Sequence, residues 1–124
     1  MIDFQNGSIF KLKQAKESDV SSTISSLLIP GEEIIGVYKG VRDSVTFTNK
    51  RVIALNVQGI TGKKKDFTSL PYSKIQAFSV ETSGTFDLDS ELEIYFSGLG
   101  KVKFEFTGNC NILSIGQTIS SFIL

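Results

Sequence analysis

Two segments near the C-terminal end alternate with a period of two, and they constrain the fold more than anything else in the chain. In Glu91-Leu92-Glu93-Ile94-Tyr95-Phe96 the even positions are apolar, and in Lys101-Val102-Lys103-Phe104-Glu105-Phe106 they are apolar again. Such alternation buries one face of a strand and wets the other. Gly98-Leu99-Gly100 between them reads as a hairpin turn, with glycine available for left-handed backbone. Opposed residues must share a face, so paired numbers must have equal parity. A two-residue loop at Gly98-Leu99 is thereby excluded. A three-residue loop opposes Phe96 to Val102 and sets Glu93 against Glu105; a five-residue alternative sets Glu93 against Lys103.

The same period runs back to residue 33. Residues 34–38, 44–48, 52–57, 67–72 and 75–80 read as further strands, with Pro71 where a ladder stops. Residues 52–57 are apolar on both faces, as in a strand covered on both sides. Two helices flank this run. Ser18 is the expected cap of a short one, with Asp19 in its first turn, Val20, Ile24, Leu27 and Leu28 on one face, and Pro30-Gly31 as its stop. After Asn109, the expected second cap, Ile112, Ile115, Ile119, Phe122 and Ile123 form an amphipathic stripe. The pattern predicts a mainly β domain. About seven antiparallel strands form a sandwich or barrel, a C-terminal helix closes its open end, and a short helix precedes it.

The 124 residues amount to one domain, with residues 1–17 as an N-terminal segment and 18–124 as the folded unit. The chain has no histidine and one cysteine, which excludes a Ser-His-Asp triad, a Cys-His pair, an imidazole metal site and an intrachain disulfide. No cofactor and no catalytic or metal-ligating set is expected, and the chain is not expected to be an enzyme. Gly59-Ile60-Thr61-Gly62-Lys63-Lys64 is too short for a phosphate loop and reads as a glycine turn. Asp87, Asp89, Glu91 and Glu93 lack the glycine and spaced terminal Glu of a calcium loop. Cys110 has no basic neighbour in sequence and reads as an inert thiol. Asn6-Gly7-Ser8 matches a glycosylation sequon but reads as a turn. The first residues have no basic run before an apolar stretch, so a cytoplasmic location is expected.

Several stretches resemble the bacterial family of pleckstrin-homology (PH) domains, formerly a domain of unknown function. They are Pro30-Gly31-Glu32-Glu33-Ile34, Arg42-Asp43-Ser44-Val45-Thr46-Phe47-Thr48-Asn49-Lys50-Arg51-Val52-Ile53, Val57-Gln58-Gly59-Ile60-Thr61-Gly62-Lys63-Lys64, Pro71-Tyr72-Ser73-Lys74-Ile75 and Glu81-Thr82-Ser83-Gly84-Thr85-Phe86-Asp87-Leu88-Asp89. The resemblance extends from about Ser18 onward. It implies a PH-like sandwich, no known catalytic activity, no established ligand and a tendency to ring-shaped homo-oligomers, a five-membered ring among them.

Charge patterning is the functional signal. Lys plus Arg and Asp plus Glu are 13 each, yet residues 34–75 carry eight basic and two acidic residues, net +6, and residues 76–100 carry five acidic and no basic, net −5. Two uses follow. In a PH-like sandwich Lys39, Arg42, Lys63, Lys64, Lys65 and Lys101 are expected to gather at one end, as a candidate site for anionic lipid headgroups or a membrane surface. Alternatively, the acidic part (Glu81, Asp87, Asp89, Glu91, Glu93) of one copy meets the basic part (Lys50, Arg51, Lys74) of another. Contact between unlike patches is head-to-tail and closes into a ring where the rotation suits. Self-assembly is the first expectation, association with other proteins or a membrane surface the second. Nucleic acid is not an expected partner, because the net charge is zero and the basic segment lacks interleaved stacking aromatics apart from Phe67 and Tyr72.

Overall fold

The computed structural model describes residues 1–6 and 9–124, so the turn expected at Asn6-Gly7 lies partly outside the described residues. The elements in chain order are β1 (Ile9–Ala15), a 3-10 turn (Glu17–Asp19), α1 (Ser22–Leu27), β2 (Ile34–Lys39), β3 (Asp43–Thr48), β4 (Arg51–Gln58), β5 (Lys64–Pro71), a second 3-10 turn (Tyr72–Lys74), β6 (Ile75–Glu81), β7 (Ser90–Phe96), β8 (Gly100–Phe106) and α2 (Ile112–Ile123). All seven expected strands are present. An eighth, β1, lies in the segment before Ser18, and it changes the architecture.

The strands form one sheet in the order β5-β4-β3-β2-β1-β8-β7-β6, with β5 and β6 as its two open edges. Strand β1 is shared between the two halves. Ile9 and Leu12 pair in parallel with Phe104 and Phe106 of β8, whereas Lys13, Gln14 and Ala15 pair antiparallel with Lys39, Tyr38 and Val37 of β2. The register with β8 shifts between Ile9 and Leu12, at Lys11, whose φ of 57° makes it the one described non-glycine residue in the left-handed region. This bulge inserts one residue into the alternation. Ile9 and Leu12, three apart, are both buried on the core side. A period of two is broken there, which is why alternation does not reveal the strand. The prediction of an all-antiparallel, seven-stranded sheet is corrected to eight strands with one parallel pair.

The two halves fold over a common core that includes Leu12, Phe47, Val52, Leu70, Phe96, Phe104 and Phe106. Tyr38 bridges them, with its ring edge-on to Phe47 at 5.8 Å and to Phe106 at 5.1 Å. Helix α2 closes this core through Ile112, Ile115 and Ile119. Its Gly116 sits against β6 so closely that a Cβ would lie 3.1 Å from Val80 Cγ1. The cap is Asn111, not Asn109: its Oδ1 accepts from the Ser114 amide at 3.1 Å. Phe122 completes the stripe by stacking on Tyr72 at 5.5 Å.

The double-sided reading of β4 holds. Val52 and Ala54 face the main core, while Ile53 and Leu55 are buried on the opposite face together with Val37 and Ile24 of α1. Helix α1 starts later than expected. Ser21 caps it, accepting from the Thr23 amide at 3.3 Å, and Ser18 instead lies in the preceding 3-10 turn. Only Ile24 of α1 is buried, so a helix of six residues depends on that one anchor.

Between β7 and β8 the register sets Glu93 against Lys103 and Ile94 against Val102. This is the pairing of the five-residue alternative, tightened by a further pair, Phe96 with Gly100, so that residues 97–99 make the turn. Gly98 and Gly100 both take positive φ, 82° and 99°. The like-charge conflict moves to Glu91 opposite Glu105, where the Lys103 ammonium lies 3.3 Å from one carboxylate and 3.4 Å from the other. Those contacts raise the lysine pKa, the hydrogen bond to Glu91 most of all.

Residues 1–6 run between the two halves of the sheet. The Met1 ammonium lies 2.9 Å from Asp66, the Ile2 amide donates to Thr68 Oγ1 at 3.1 Å, Phe4 packs edge-on to Phe104, and Gln5 Nε2 donates to the Leu99 and Lys101 carbonyls. This strap thus ties β5 to the β7–β8 hairpin. No helix among the described residues is long and apolar enough to cross a membrane.

Candidate binding surface

Charged residues in this fold divide into those committed inside the molecule and those presented outside it. Arg51 belongs to the first group. Its Nε and Nη2 each lie 2.9 Å from an oxygen of Glu32, Nη2 also donates to the Leu27 carbonyl at 2.7 Å, and Nη1 donates to Ser69 Oγ at 2.9 Å. The Glu32 carboxylate is buried and also accepts from Thr48 Oγ1 at 2.7 Å and the Ile29 amide at 3.1 Å. Burial alone would raise its pKa; the hydrogen bonds from Arg51, Thr48 and the Ile29 amide outweigh that and hold the carboxyl below the usual glutamate value. This hub fastens the α1–β2 connection to the β3–β4 turn, and it leaves Arg51 few donors for a partner. Nothing in the sequence count marks Glu32, which pairs across 19 residues.

Lys50 and Lys74 lie apart from the other basic residues, at the corner where the chain passes from β5 to β6. The Tyr72 amide donates to the Lys50 carbonyl and the Ser97 amide to the Lys74 carbonyl. The Tyr72 hydroxyl is buried against the Thr48 carbonyl at 2.6 Å, and burial pushes its pKa well up.

The expected basic cluster forms in part. Lys39, Arg42 and Lys65 line one pocket of about 340 Å³ on the outer face of β2–β5. Its apolar side chains are Val20, Val37, Val41, Leu55 and Val57. Asp19 and Asp43 also line it, so two carboxylates stand among the three cations; Lys39 Nζ donates to the Asp19 backbone carbonyl and Asp43 Oδ1 accepts from Asn56. Arg42 Nη2 donates to the Gly59 carbonyl, which joins the β2–β3 turn to the β4–β5 hairpin bearing Lys63 and Lys64. Gly59 and Gly62 both adopt positive φ, as a glycine turn requires. Lys101 does not join this group. It sits on β8 across β1, with its ammonium 3.9 Å from Glu93.

The acidic residues divide in the same way. Glu91 and Glu93 face Lys103 and Lys101. Glu81 ends β6 opposite Glu91, and Asp87 and Asp89 lie in the loop of residues 82–89. Several large apolar side chains stand fully exposed beside these charges: Val41 and Ile60 at the two joined hairpins, and Phe86 in the acidic loop. Charge counting passes over them; the only sequence signal is an apolar residue inside a polar turn. Cys110 is half-buried, its Sγ 3.6 Å from the Leu12 carbonyl, as a thiol with a packing role.

A bent sheet in two halves, closed by a C-terminal amphipathic helix and carrying basic hairpins, is the architecture of a pleckstrin-homology domain. The chain superposes with a TM-score of 0.82 on the crystal structure of a DUF1696 family protein with a pleckstrin-homology domain from Shewanella loihica, at 34% identity over 93% of this chain and 99% of that one. A pleckstrin homology domain from Shewanella amazonensis is similar at 39% identity and a TM-score of 0.67, covering 89% and 92% of the two chains. The chain belongs to the bacterial PH domain family, whose model matches residues 3–123 and so takes in β1. Among sequence relatives, the uncharacterized protein YjqA of Bacillus subtilis is 40% identical over 120 residues, 95% of this chain and 96% of that protein.

Proposed function

We propose that this chain is a non-catalytic cytoplasmic binding and scaffolding module that assembles with its own copies, head to tail, into a homo-oligomeric ring, a pentamer being one closed form. The observation that carries this reading is the segregation of charge between the halves of the sheet. Lys39, Arg42, Lys63, Lys64 and Lys65 lie on the β2–β5 half, while Glu81, Asp87 and Asp89 lie on β6 and the loop that follows it. Unlike patches on one molecule favour heterologous contact over a two-fold dimer, and complementary charge sets register and encounter rate. Light scattering after gel filtration tests it. A mass well above 13.6 kDa at tens of micromolar is expected; a 13.6 kDa species there rejects the reading.

A second reading, weak docking on an anionic membrane surface, is favoured by one observation. The fully exposed Val41 and Ile60 stand on two hairpins joined by Arg42 and flanked by Lys63, Lys64 and Lys65. Apolar tips in a basic collar suit an anionic interface, where each lysine contributes on the order of 1 kcal/mol. Sedimentation with anionic vesicles tests it: Lys63→Glu/Lys64→Glu and Ile60→Asp should each pellet less than wild type, and equal pelleting rejects it.

A further inference from the structure

Among the described residues the most exposed aromatic is Phe86, in the acidic loop of residues 82–89, with Leu88 also largely exposed beside it. This loop is held in shape. The Gly84 amide donates to the Asp87 carbonyl at 2.7 Å and the Asp89 amide to Asp87 Oδ1 at 3.1 Å. Below it, Gly108 packs so tightly that a Cβ there would lie 2.6 Å from the Leu88 carbonyl oxygen. A phenyl ring and a leucine left in water forgo the favourable free energy of burying apolar surface. A shaped loop that presents them between Asp87 and Asp89 has the form of a knob.

The matching hole is on the other half of the sheet. The pocket of about 340 Å³ beside the first 3-10 turn has apolar walls from Val37, Leu55 and Val57 and a rim on which Lys39, Arg42 and Lys65 outnumber Asp19 and Asp43. Apolar centre against apolar centre and an acidic rim against one of net positive charge is the complementarity an interface core and its rim require. No residue of the 82–89 loop lines the pocket, so the two do not meet within one chain. We infer that the Phe86 loop of one copy inserts into the Lys39–Arg42–Lys65 pocket of the next. This inference rests on the self-assembly reading and supplies its contact. Each copy offers one knob and one hole, so the arrangement is open-ended until it closes on itself.

The test uses two variants of the full chain. Phe86→Glu removes the knob and keeps the hole; Lys39→Glu/Lys65→Glu reverses the rim and keeps the knob. All the substituted side chains are at the surface, and circular dichroism checks that both variants fold. By light scattering at tens of micromolar, wild type should be multimeric and each variant alone should run at 13.6 kDa. An equimolar mixture should give a dimer of twice that mass, because one intact hole receives one intact knob and the chain ends there. If Phe86→Glu keeps the wild-type mass, the contact lies elsewhere while self-assembly stands. If both variants are monomeric and the mixture stays monomeric, the pairing of this knob with this hole is overturned. If wild type itself is 13.6 kDa, the inference falls together with the reading beneath it.

Discussion

Arg51 and Arg42 are nine residues apart on adjoining parts of the same half-sheet, and they do opposite work. Arg51 is wrapped around a buried carboxylate and two further acceptors, so its charge holds the fold. Arg42 ties two hairpins through one carbonyl and leaves its charge at the rim of a pocket. Charge totals treat the two alike. The difference lies in whether a carboxylate is buried within reach, and that is set by how the α1–β2 connection lies over the β3–β4 turn.

The sharpest way to test this contrast is to delete one member of each kind. Arg51→Ala strands the Glu32 carboxylate without its partner and should cost about 3–5 kcal/mol in urea unfolding. Lys65→Ala, at the pocket rim, should stay within about 0.5 kcal/mol of wild type while weakening association. Near-equal stability of the two variants would erase the distinction.

Acid titration probes the same hub. Glu32 has a folded-state pKa below its unfolded value of 4.5, so its stabilisation is fully present above that value and is lost as pH falls through the lowered one. Wild type should therefore lose stability in that acid range. Arg51→Ala, in which burial acts on the carboxyl without its guanidinium, should show a smaller loss. Parallel pH profiles would contradict this assignment.

Smaller effects come from two polar groups on the sheet. Thr46 Oγ1 is buried on β3 with no hydrogen-bond partner among the described residues, so Thr46→Val should raise stability by about 1 kcal/mol by removing a hydroxyl desolvated without compensation. Loss of stability would reveal a partner for that hydroxyl. Lys103→Gln leaves Glu91 and Glu105 opposed and should cost under about 1 kcal/mol, with the loss shrinking in high salt.

Much of the fold was legible because period-two burial is written locally in the sequence. Strands β7 and β8 bury alternate residues, and β3 and the first half of β4 lie covered on both faces. β1 was not legible, because the bulge at Lys11 turns the spacing of Ile9 and Leu12 from two to three. The caps were displaced, from Ser18 to Ser21 and from Asn109 to Asn111, since several polar residues near each helix start are chemically able to cap and only tertiary packing selects one. The binding surface was half legible. Lys39, Arg42 and Lys65 do converge on one pocket, as adjacent turns of a sheet must. Lys101 does not, because β1 lies between β8 and β2. Arg51 was the least legible, since its partner Glu32 is distant in sequence and its burial is a property of the assembled fold. Phe86 is illegible for the opposite reason: exposure of an apolar residue leaves no periodic trace.

In the proposed assembly, the charges left outside the fold join one copy to the next. Light scattering across a salt series tests it most directly, because screening weakens contact between exposed charges while leaving the Glu32–Arg51 hub intact. The expected result is a multimer at low ionic strength whose mass falls toward 13.6 kDa as salt rises, with the circular dichroism unchanged. A mass of 13.6 kDa at every salt concentration would contradict assembly through these charges.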